Sequence, residues 1–545
     1  MKRRNFLKIF PAAGVTPFVV NGFPMRPFAN SKIAKIMSAC DDVEGRVLIL
    51  IQLKGGNDGL NMLIPVQQYP LYAALRPSIR IPDAGANKYL DLDNTLPNPD
   101  KVGLHPVLTG MKDLYDKGWA SIVQGVGYAD MNGSHFKGTD LWLSGGDGTP
   151  DKNEIPSGWM GRALQAMYPD VQGLPTTDMP DPLGIQVGDP NPSLGFHTET
   201  QHQNVINLSG QDPAGFYSLI QTIGGAPLLN VPDSEYGEEI AYIQGIETSL
   251  SKYAQRISDA FNAGSNAIST YPQSTLAAQL KTIARLIKGG LKTKIYLCSM
   301  GGFDTHGAQV FENITTSGNH ADLLKTFSDS VKAFFDDLDG LGIADQVAAC
   351  TFSEFGRCAR ENGSLGTDHG TLAPMFLFGK NIKAGVVGTN PNLGVLTQDN
   401  QLSDMQYDYR QVFTTLLQDW LGANNFVLEQ TMFEGYTKVP AVDTTAVVSP
   451  DCYIGGTTSV FDPLDGRRAL GVFPNPATLR AEVSFRSDTA FEARLTLHSL
   501  GGALVSSNSV RVQPGSNFYY LDVVSLPVGS YFVRLENKFS GQAEV

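Results

Sequence analysis

Residues 46–53 read Arg-Val-Leu-Ile-Leu-Ile-Gln-Leu and run directly into Lys54-Gly55-Gly56-Asn57-Asp58-Gly59. A strand that is apolar on both faces has to be covered on both sides, which places it in the middle of a parallel sheet. Helix and strand patterns then alternate downstream. Leu276, Leu280, Ile283 and Ile287 recur at helical spacing ahead of a strand at 294–299. Leu323/Leu324, Phe327, Val331, Phe334/Phe335 and Leu338 mark a second amphipathic helix, followed by strands at 346–352 and 375–378. This alternation predicts an α/β domain with a doubly wound, mostly parallel sheet, whose functional groups belong at the carboxyl ends of the strands.

The polar clusters fall at those ends. Asn57 and Asp58 follow the first strand, and Gly302-Phe303-Asp304-Thr305-His306 follows the second. Ser353-Glu354-Phe355-Gly356-Arg357 follows the third, and Gly366-Thr367-Asp368-His369-Gly370 precedes the fourth. Asn132-Gly133-Ser134-His135-Phe136 sets a hydroxyl beside an imidazole. One Asp or His at a strand end is commonly a turn residue or a cap. Several such clusters at one sheet edge are what hydrolytic metal sites are built from, with carboxylate and imidazole ligands and an open position. Arg357 is either a fork for an anionic ester or a structural ion pair. His320 opens a helix and reads as a solvent-facing or capping residue, whereas His105, His197 and His202 sit in loops without assignable partners. No G-x-S-x-G elbow, Walker A loop or G-x-G-x-x-G after a strand is present, so serine-esterase and nucleotide-binding readings lack support.

The two ends differ in texture from this body. Lys2-Arg3-Arg4 followed by the mostly apolar Phe6–Val20 reads as a leader within residues 1–30, and Arg3-Arg4-Asn5-Phe6-Leu7-Lys8 resembles a twin-arginine export signal. Past residue 470, Ala481/Val483/Phe485, Phe491/Ala493/Leu495/Leu497, Tyr519/Leu521/Val523 and Tyr531/Val533/Leu535 alternate as strands between Gly- and Pro-bearing turns. They predict a small β-sandwich over 470–545, joined by a linker at 441–469 to an α/β domain over 40–440. The net charge of −13 argues against a nucleic-acid binder, and no apolar run past the leader is long enough to span a membrane. Five cysteines are too few for a disulfide scaffold; Cys298 and Cys350 read as core thiols, while Cys40 and Cys452 flank the body and are able to pair.

Two resemblances add to this reading. Phe473-Pro474-Asn475-Pro476, the turn from Leu497 to Val505 and the strand from Leu526 to Leu535 resemble the C-terminal sorting domain of the type IX secretion system of Bacteroidetes. That resemblance implies partners in the export and type IX machinery and a destination at the cell surface, outer membrane or beyond; the alternative is a carbohydrate-binding or spacer sandwich. Asn57-Asp58-Gly59, Ser134-His135-Phe136, Phe303-Asp304-Thr305-His306, Ser353–Arg357 and Gly366–Gly370 resemble the block pattern of the "domain of unknown function 1501" family, grouped with the alkaline phosphatase and sulfatase superfamily. It implies an alkaline-phosphatase-like sheet, Ser134 as nucleophile and Asp58, Asp304, His306, Glu354 and His369 as ligands, with Asp368 beside the last. Where the superfamily has Asp-His-Gly, this chain has Glu354-Phe355-Gly356, and phenylalanine cannot ligate. Either one metal binds, or His135 or Asp368 substitutes, or the site is degenerate.

Two functional classes follow. One is an exported, metal-dependent hydrolase of phosphate or sulfate esters acting on a small-molecule or glycan ester. In it Ser134 attacks, His135 accepts the proton, Arg357 steadies the oxygens, and a divalent metal (zinc, magnesium, manganese or calcium) sits on the acid/imidazole set. The other is a non-catalytic surface binding protein on a degenerate phosphatase-like fold. The absence of C-x-P-x-R or S-x-P-x-R around Ser134 argues against a formylglycine sulfatase.

Overall fold

The computed structural model describes residues 40–169, 179–198, 205–208, 251–312, 314–455, most of 471–537 and a few shorter stretches. The chain divides into two compact units, Met1–Met167 with Val171–Ile454, and Tyr168–Asp170 with Gly455–Val545. The expected leader lies outside the described residues, apart from the antiparallel pair Phe18–Val20 and Phe23–Met25.

The first unit is built on a nine-stranded sheet. In chain order its strands, with the hairpin that serves the site, are β1 (Val47–Leu53), β2 (Ala120–Gly127), β3 (Gly184–Val187), β4 (Val205–Leu208), β5 (Ile295–Met300), β6 (Val347–Phe352), the hairpin β7 (Arg357–Glu361) and β8 (Thr367–His369), then β9 (Ala373–Phe378), β10 (Gly385–Val387) and β11 (Tyr407–Asp408). The spatial order is β10-β2-β9-β6-β1-β5-β3-β4, with β11 also on β2. β1 is buried at every position and pairs in parallel with β5 on one side and β6 on the other. The strand order reverses at β1, which makes its carboxyl end the switch point of a doubly wound sheet. Only β9 runs against its neighbours β6 and β2. It therefore begins, rather than ends, at the edge where the other strands finish.

Helices cover the sheet as their periodicity requires. Among those used below, α1 is His135–Ser144, α2 is Thr275–Lys288 and α3 is Asn319–Gly340. α2 buries Leu276, Leu280, Ile283 and Ile287, and its N-cap Ser274 accepts the Ala277 N–H at 3.1 Å. α3 buries Leu324, Phe327, Val331, Phe334, Phe335 and Leu338. These side chains and the inward face of the sheet form one continuous core. Cys298 and Cys350 lie within β5 and β6, and burial pushes both thiols up, so they are inert core groups.

The linker expected from 441 is corrected in extent. Residues through Ile454 belong to the first unit; Ala441, Val442 and Val448 are buried, and Cys452 forms a disulfide with Cys40. The bridge ties residues 412 positions apart, with Val43 and Val448 packed around it. The second unit has a three-stranded and a four-stranded antiparallel sheet around Val483, Phe485, Leu495, Leu497, Leu521 and Leu535. The strands read from alternation are present. Leu504–Val512 was not among them: it is a mostly exposed edge strand whose Ser-Ser-Asn-Ser stretch carries no apolar alternation.

Cys452→Ser is expected to lower the unfolding free energy by about 2–5 kcal/mol, because the bridge restricts a very long loop in the unfolded chain. Chemical denaturation in oxidising buffer checks this, and equal stability of the two proteins would show that the bridge adds nothing.

Candidate functional site

Five segments meet at the carboxyl edge of the sheet. Gly55–Asp58 follows β1, Phe303–His306 follows β5, and Ser353–Phe355 follows β6. Ser134 and His135 open α1 after β2, and His369 closes the β7–β8 hairpin directly opposite Arg357. The reversed direction of β9 brings a residue that precedes a strand to the same edge as residues that follow strands.

Asp304 is the centre. His306 Nε2 lies 3.2 Å and His369 Nε2 3.3 Å from its Oδ1, and His135 Nε2 lies 3.3 Å from its Oδ2. The ligand atoms of His135, Asp304 and His369 all fall within 4.8 Å of one another. Each imidazole is held from behind by its other nitrogen. His135 Nδ1 is 2.9 Å from Glu354 Oε1, His306 Nδ1 is 3.1 Å from Asp368 Oδ1, and His369 Nδ1 is 2.8 Å from the Gly133 carbonyl. All three partners are acceptors, so in the tautomer with hydrogen on Nδ1 each ring turns an Nε2 lone pair toward Asp304. Those lone pairs face a carboxylate that also accepts. A cation among them relieves the mismatch; protonating all three rings would instead crowd imidazolium charges whose centroids lie only 4.5 and 4.6 Å apart. Carboxylate or carbonyl acceptors behind ligating imidazoles are the usual outer support of a metal site. Ligand atoms of a tetrahedral site with ~2.1 Å bonds stand roughly 3.4 Å apart, so His135, Asp304 and His369 come near the spacing a divalent cation needs, while His306 touches Asp304 but stands outside that mutually close group.

Arg357 fixes the arrangement and is itself wholly buried. Its Nε donates to the Gly56 carbonyl at 2.7 Å, Nη1 to Thr367 O at 2.9 Å, and Nη2 to Phe303 O at 3.1 Å, Asp304 Oδ1 at 2.5 Å and the Gly55 carbonyl. Burial alone would raise the Asp304 carboxyl, but the hydrogen bond and charge of Arg357, with His369 and His306, hold it down at about 2. The close approach requires glycine at 55 and 56, both with positive φ. A Cβ on Gly55 would stand 2.3 Å from the Asp304 nitrogen, and one on Gly56 2.4 Å from the Phe355 ring.

Several expected roles change. Asp58 is fully buried: Oδ2 accepts from Arg76 Nη1 and Gln309 Nε2, both at 2.6 Å, and Oδ1 from the Leu60 N–H at 3.2 Å. Burial pushes its carboxyl up, yet Arg76 more than offsets this and leaves it below the usual range. Asp58 is thus a helix cap and ion-pair partner beneath the site, not a ligand facing it. Glu354 is buried and accepts both His135 Nδ1 and, at 2.7 Å, the Gly55 N–H, so it orients a ligand instead of being one. Asp368 does the same for His306. Arg357 has every nitrogen engaged within the protein, which removes it as a clamp for substrate oxygens. His135, expected as a proton acceptor, has both nitrogens in the cluster. Phe355 lies buried against His135 and His369, at centroid distances of 5.0 and 4.6 Å.

Ser134 is the N-cap of α1 with extended backbone; its N–H donates to Asn132 Oδ1 at 2.8 Å, and its hydroxyl makes no capping bond. His320, read as solvent-facing, is buried, with Nε2 3.1 Å from Asn57 Oδ1, and burial pushes it down to about 4. His105 is buried beside it and pushed down to about 3 for the same reason. His197 is exposed, with Nδ1 3.0 Å from Pro156 O, and His202 lies outside the described residues. Sequence reading missed Gln309 and Arg76. Gln309 Oε1 accepts from Thr305 at 3.0 Å and Thr367 at 3.1 Å, linking the loops of His306 and His369. Arg76 donates to the Cys358 and Ala359 carbonyls of β7, both at 2.9 Å.

The family described as "Protein of unknown function (DUF1501)" matches residues 127–422, and the chain belongs to it. Residues 471–543 match the secretion system C-terminal sorting domain, which directs export to the cell surface or the extracellular space. No curated protein matches the chain. Among solved structures it is similar to a protein in the alkaline phosphatase superfamily from Vibrio parahaemolyticus, at 9% identity and a TM-score of 0.27, covering 95% of this chain and 91% of that one. It is also similar to the PsFucS1 sulfatase from Pseudoalteromonas sp., at 9% identity and a TM-score of 0.29, covering 92% and 89%. Ps i-CgsB, in complex with k-i-k-neocarrahexaose, gives 10% identity and a TM-score of 0.31 over 82% and 83%.

Because Asp368 is exposed, Asp368→Ala should leave the fold intact and release the back of His306 together with the contact to Asn362. Affinity for a divalent cation, measured by competition with a chromophoric chelator, is expected to fall about 10–100-fold. An unchanged affinity would remove His306 from the ligand set.

Proposed function

We propose that this exported protein is a metal-dependent hydrolase of phosphate or sulfate esters, with His135, Asp304, His306 and His369 holding a divalent cation. The observation that carries the reading is the convergence of three Nε2 atoms on one carboxylate, each ring backed by an acceptor. When bound, a divalent cation there supplies Lewis-acid polarisation of an ester oxygen and lowers the pKa of water. Imidazole-rich ligation favours zinc over magnesium, manganese or calcium.

The chain's own groups have distinct tasks. Ser134 stands next to His135 at the N-terminus of a ten-residue helix, where the first N–H groups and the helix dipole favour an anionic phosphoryl or sulfuryl oxygen. Its hydroxyl is the proposed nucleophile: Oγ gives up its proton and bonds to phosphorus or sulfur as the P–O or S–O ester bond breaks, the departing alcohol oxygen takes the electron pair and that proton, and water then displaces Oγ, returning a proton to it and releasing the inorganic anion. Glu354, Asp368 and the Gly133 carbonyl keep the imidazoles in the tautomer that faces Asp304. Arg357 keeps that carboxylate ionised and oriented.

The non-catalytic alternative drew its support from Phe355 standing where a ligating imidazole was expected. His135 contributes an imidazole from a different strand end, which favours the hydrolase.

The test is turnover of aryl phosphates, aryl phosphodiesters and aryl sulfates with added zinc, manganese or magnesium. Wild-type protein should hydrolyse at least one class, and His369→Ala should lose more than about a hundredfold, beyond the loss typical of an outer-shell change. Full activity in Ser134→Ala would make water the nucleophile, and no turnover together with no metal binding would favour a binding protein.

A further inference from the structure

A separate cavity of about 280 Å³ opens between the carboxyl ends of β1, β3 and β5 and the side of α1. None of the His/Asp cluster residues lines it, but two of its wall residues are tied to that cluster along the chain. Thr139, on its wall, is four residues after His135 and therefore on the same face of α1, one turn of about 5.4 Å along. Lys54, also on its wall, precedes Gly55, whose N–H holds the Glu354 oxygen that orients His135.

The lining has a definite chemistry. Gln52 is only 4% exposed, and its Nε2 is buried without a hydrogen-bond partner among the described residues. A buried amide donor left this way demands an acceptor from whatever fills the space. Gln186 is also buried, but its amide is fully occupied within the wall: Nε2 donates to Asn191 O at 2.8 Å and Oε1 accepts the Ser193 N–H at 2.7 Å. It fixes the loop that carries Asp189, which pairs with Lys54. Asp140 adds a second carboxylate, and Leu143, Val187 and Leu194 supply an apolar side.

We infer that this cavity binds one neutral, hydroxyl-rich ring, a pyranose or similar polyol. Hydroxyls both donate and accept, and so match an orphan amide donor beside carboxylates, whereas an anion would meet two carboxylates against one lysine already paired. The ring's C–H face suits the leucine and valine side. The volume lies just under the range of drug-sized pockets, room for a single ring and not for a chain of them. Calling it the sugar subsite of the ester substrate rests on the hydrolase reading; the binding of the ring does not. The anionic ester would lie at the His/Asp cluster and its neutral sugar one helical turn away, making the substrate class a sugar phosphate or sugar sulfate.

The test uses the full chain and needs no turnover. Methyl glucoside, galactoside, mannoside and fucoside, with myo-inositol, are screened by saturation-transfer NMR and titrated by calorimetry, with and without zinc. At least one should bind, with zinc changing its affinity little. Thr139→Tyr, which fills the cavity, should abolish that binding while zinc stoichiometry stays at the wild-type value. Asp140→Asn, an isosteric change on an exposed residue, should weaken it roughly tenfold, as expected for a hydrogen bond to a charged group. Binding by none of the probes would overturn the inference, as would equal binding by Thr139→Tyr. Loss of ester hydrolysis with pyranoside binding intact would strike the hydrolase reading alone.

Discussion

The buried guanidinium of Arg357 is the constraint on which the site depends. It gathers four backbone carbonyls and one carboxylate from the loops after β1 and β5 and from β8. Without it, the Gly55 and Gly56 carbonyls would lose their guanidinium donor, and Asp304 would lose the charge that keeps it ionised. The Gly55-Gly56 turn exists to allow the approach, since a side chain at either position would strike Asp304 or Phe355. Asp304 then serves as the fixed point toward which three imidazoles from three different segments are aimed.

Beneath this layer a second polar network does the same work for the loops themselves. Asp58, Arg76, Gln309, Thr305 and Thr367 form a connected set of hydrogen bonds running from the end of β1 to both His306 and His369. Its members are buried and mutually satisfied, which makes such a network rigid and specific. Geometry at the cluster is therefore set from behind, and a substitution in this lower layer would act on the site through loop position.

Much of this was legible in the chain because the two signals are strong. A run such as Val47–Leu53 has no place except the sheet interior, and the polar residues that follow such runs have to collect at one edge. His135, Asp304, His306 and His369 were all readable on that ground. What remained hidden depends on contacts between distant segments. Nothing local in Tyr-Ala-Ala-Leu-Arg76 says that this arginine is buried against Asp58, so Asp58 read as a ligand. Glu354 and Asp368 have the chemistry of ligands, and only the Nδ1 contacts show that they orient imidazoles instead. His320 starts an amphipathic helix, and the buried group it hydrogen-bonds, Asn57, lies more than 260 residues away. The antiparallel course of β9, which carries His369 to the right edge, has no sequence signature.

The proposed centre is a single divalent cation held by three imidazoles through Nε2 and by one carboxylate oxygen. X-ray absorption spectroscopy of the zinc-loaded full-length protein tests this most directly. The expected first shell is nitrogen and oxygen only, at about 2.0–2.1 Å, with outer-shell scattering that fits three imidazoles and loses one in His306→Ala. Zinc that is not retained, or a shell of oxygen without imidazole scattering, would contradict it.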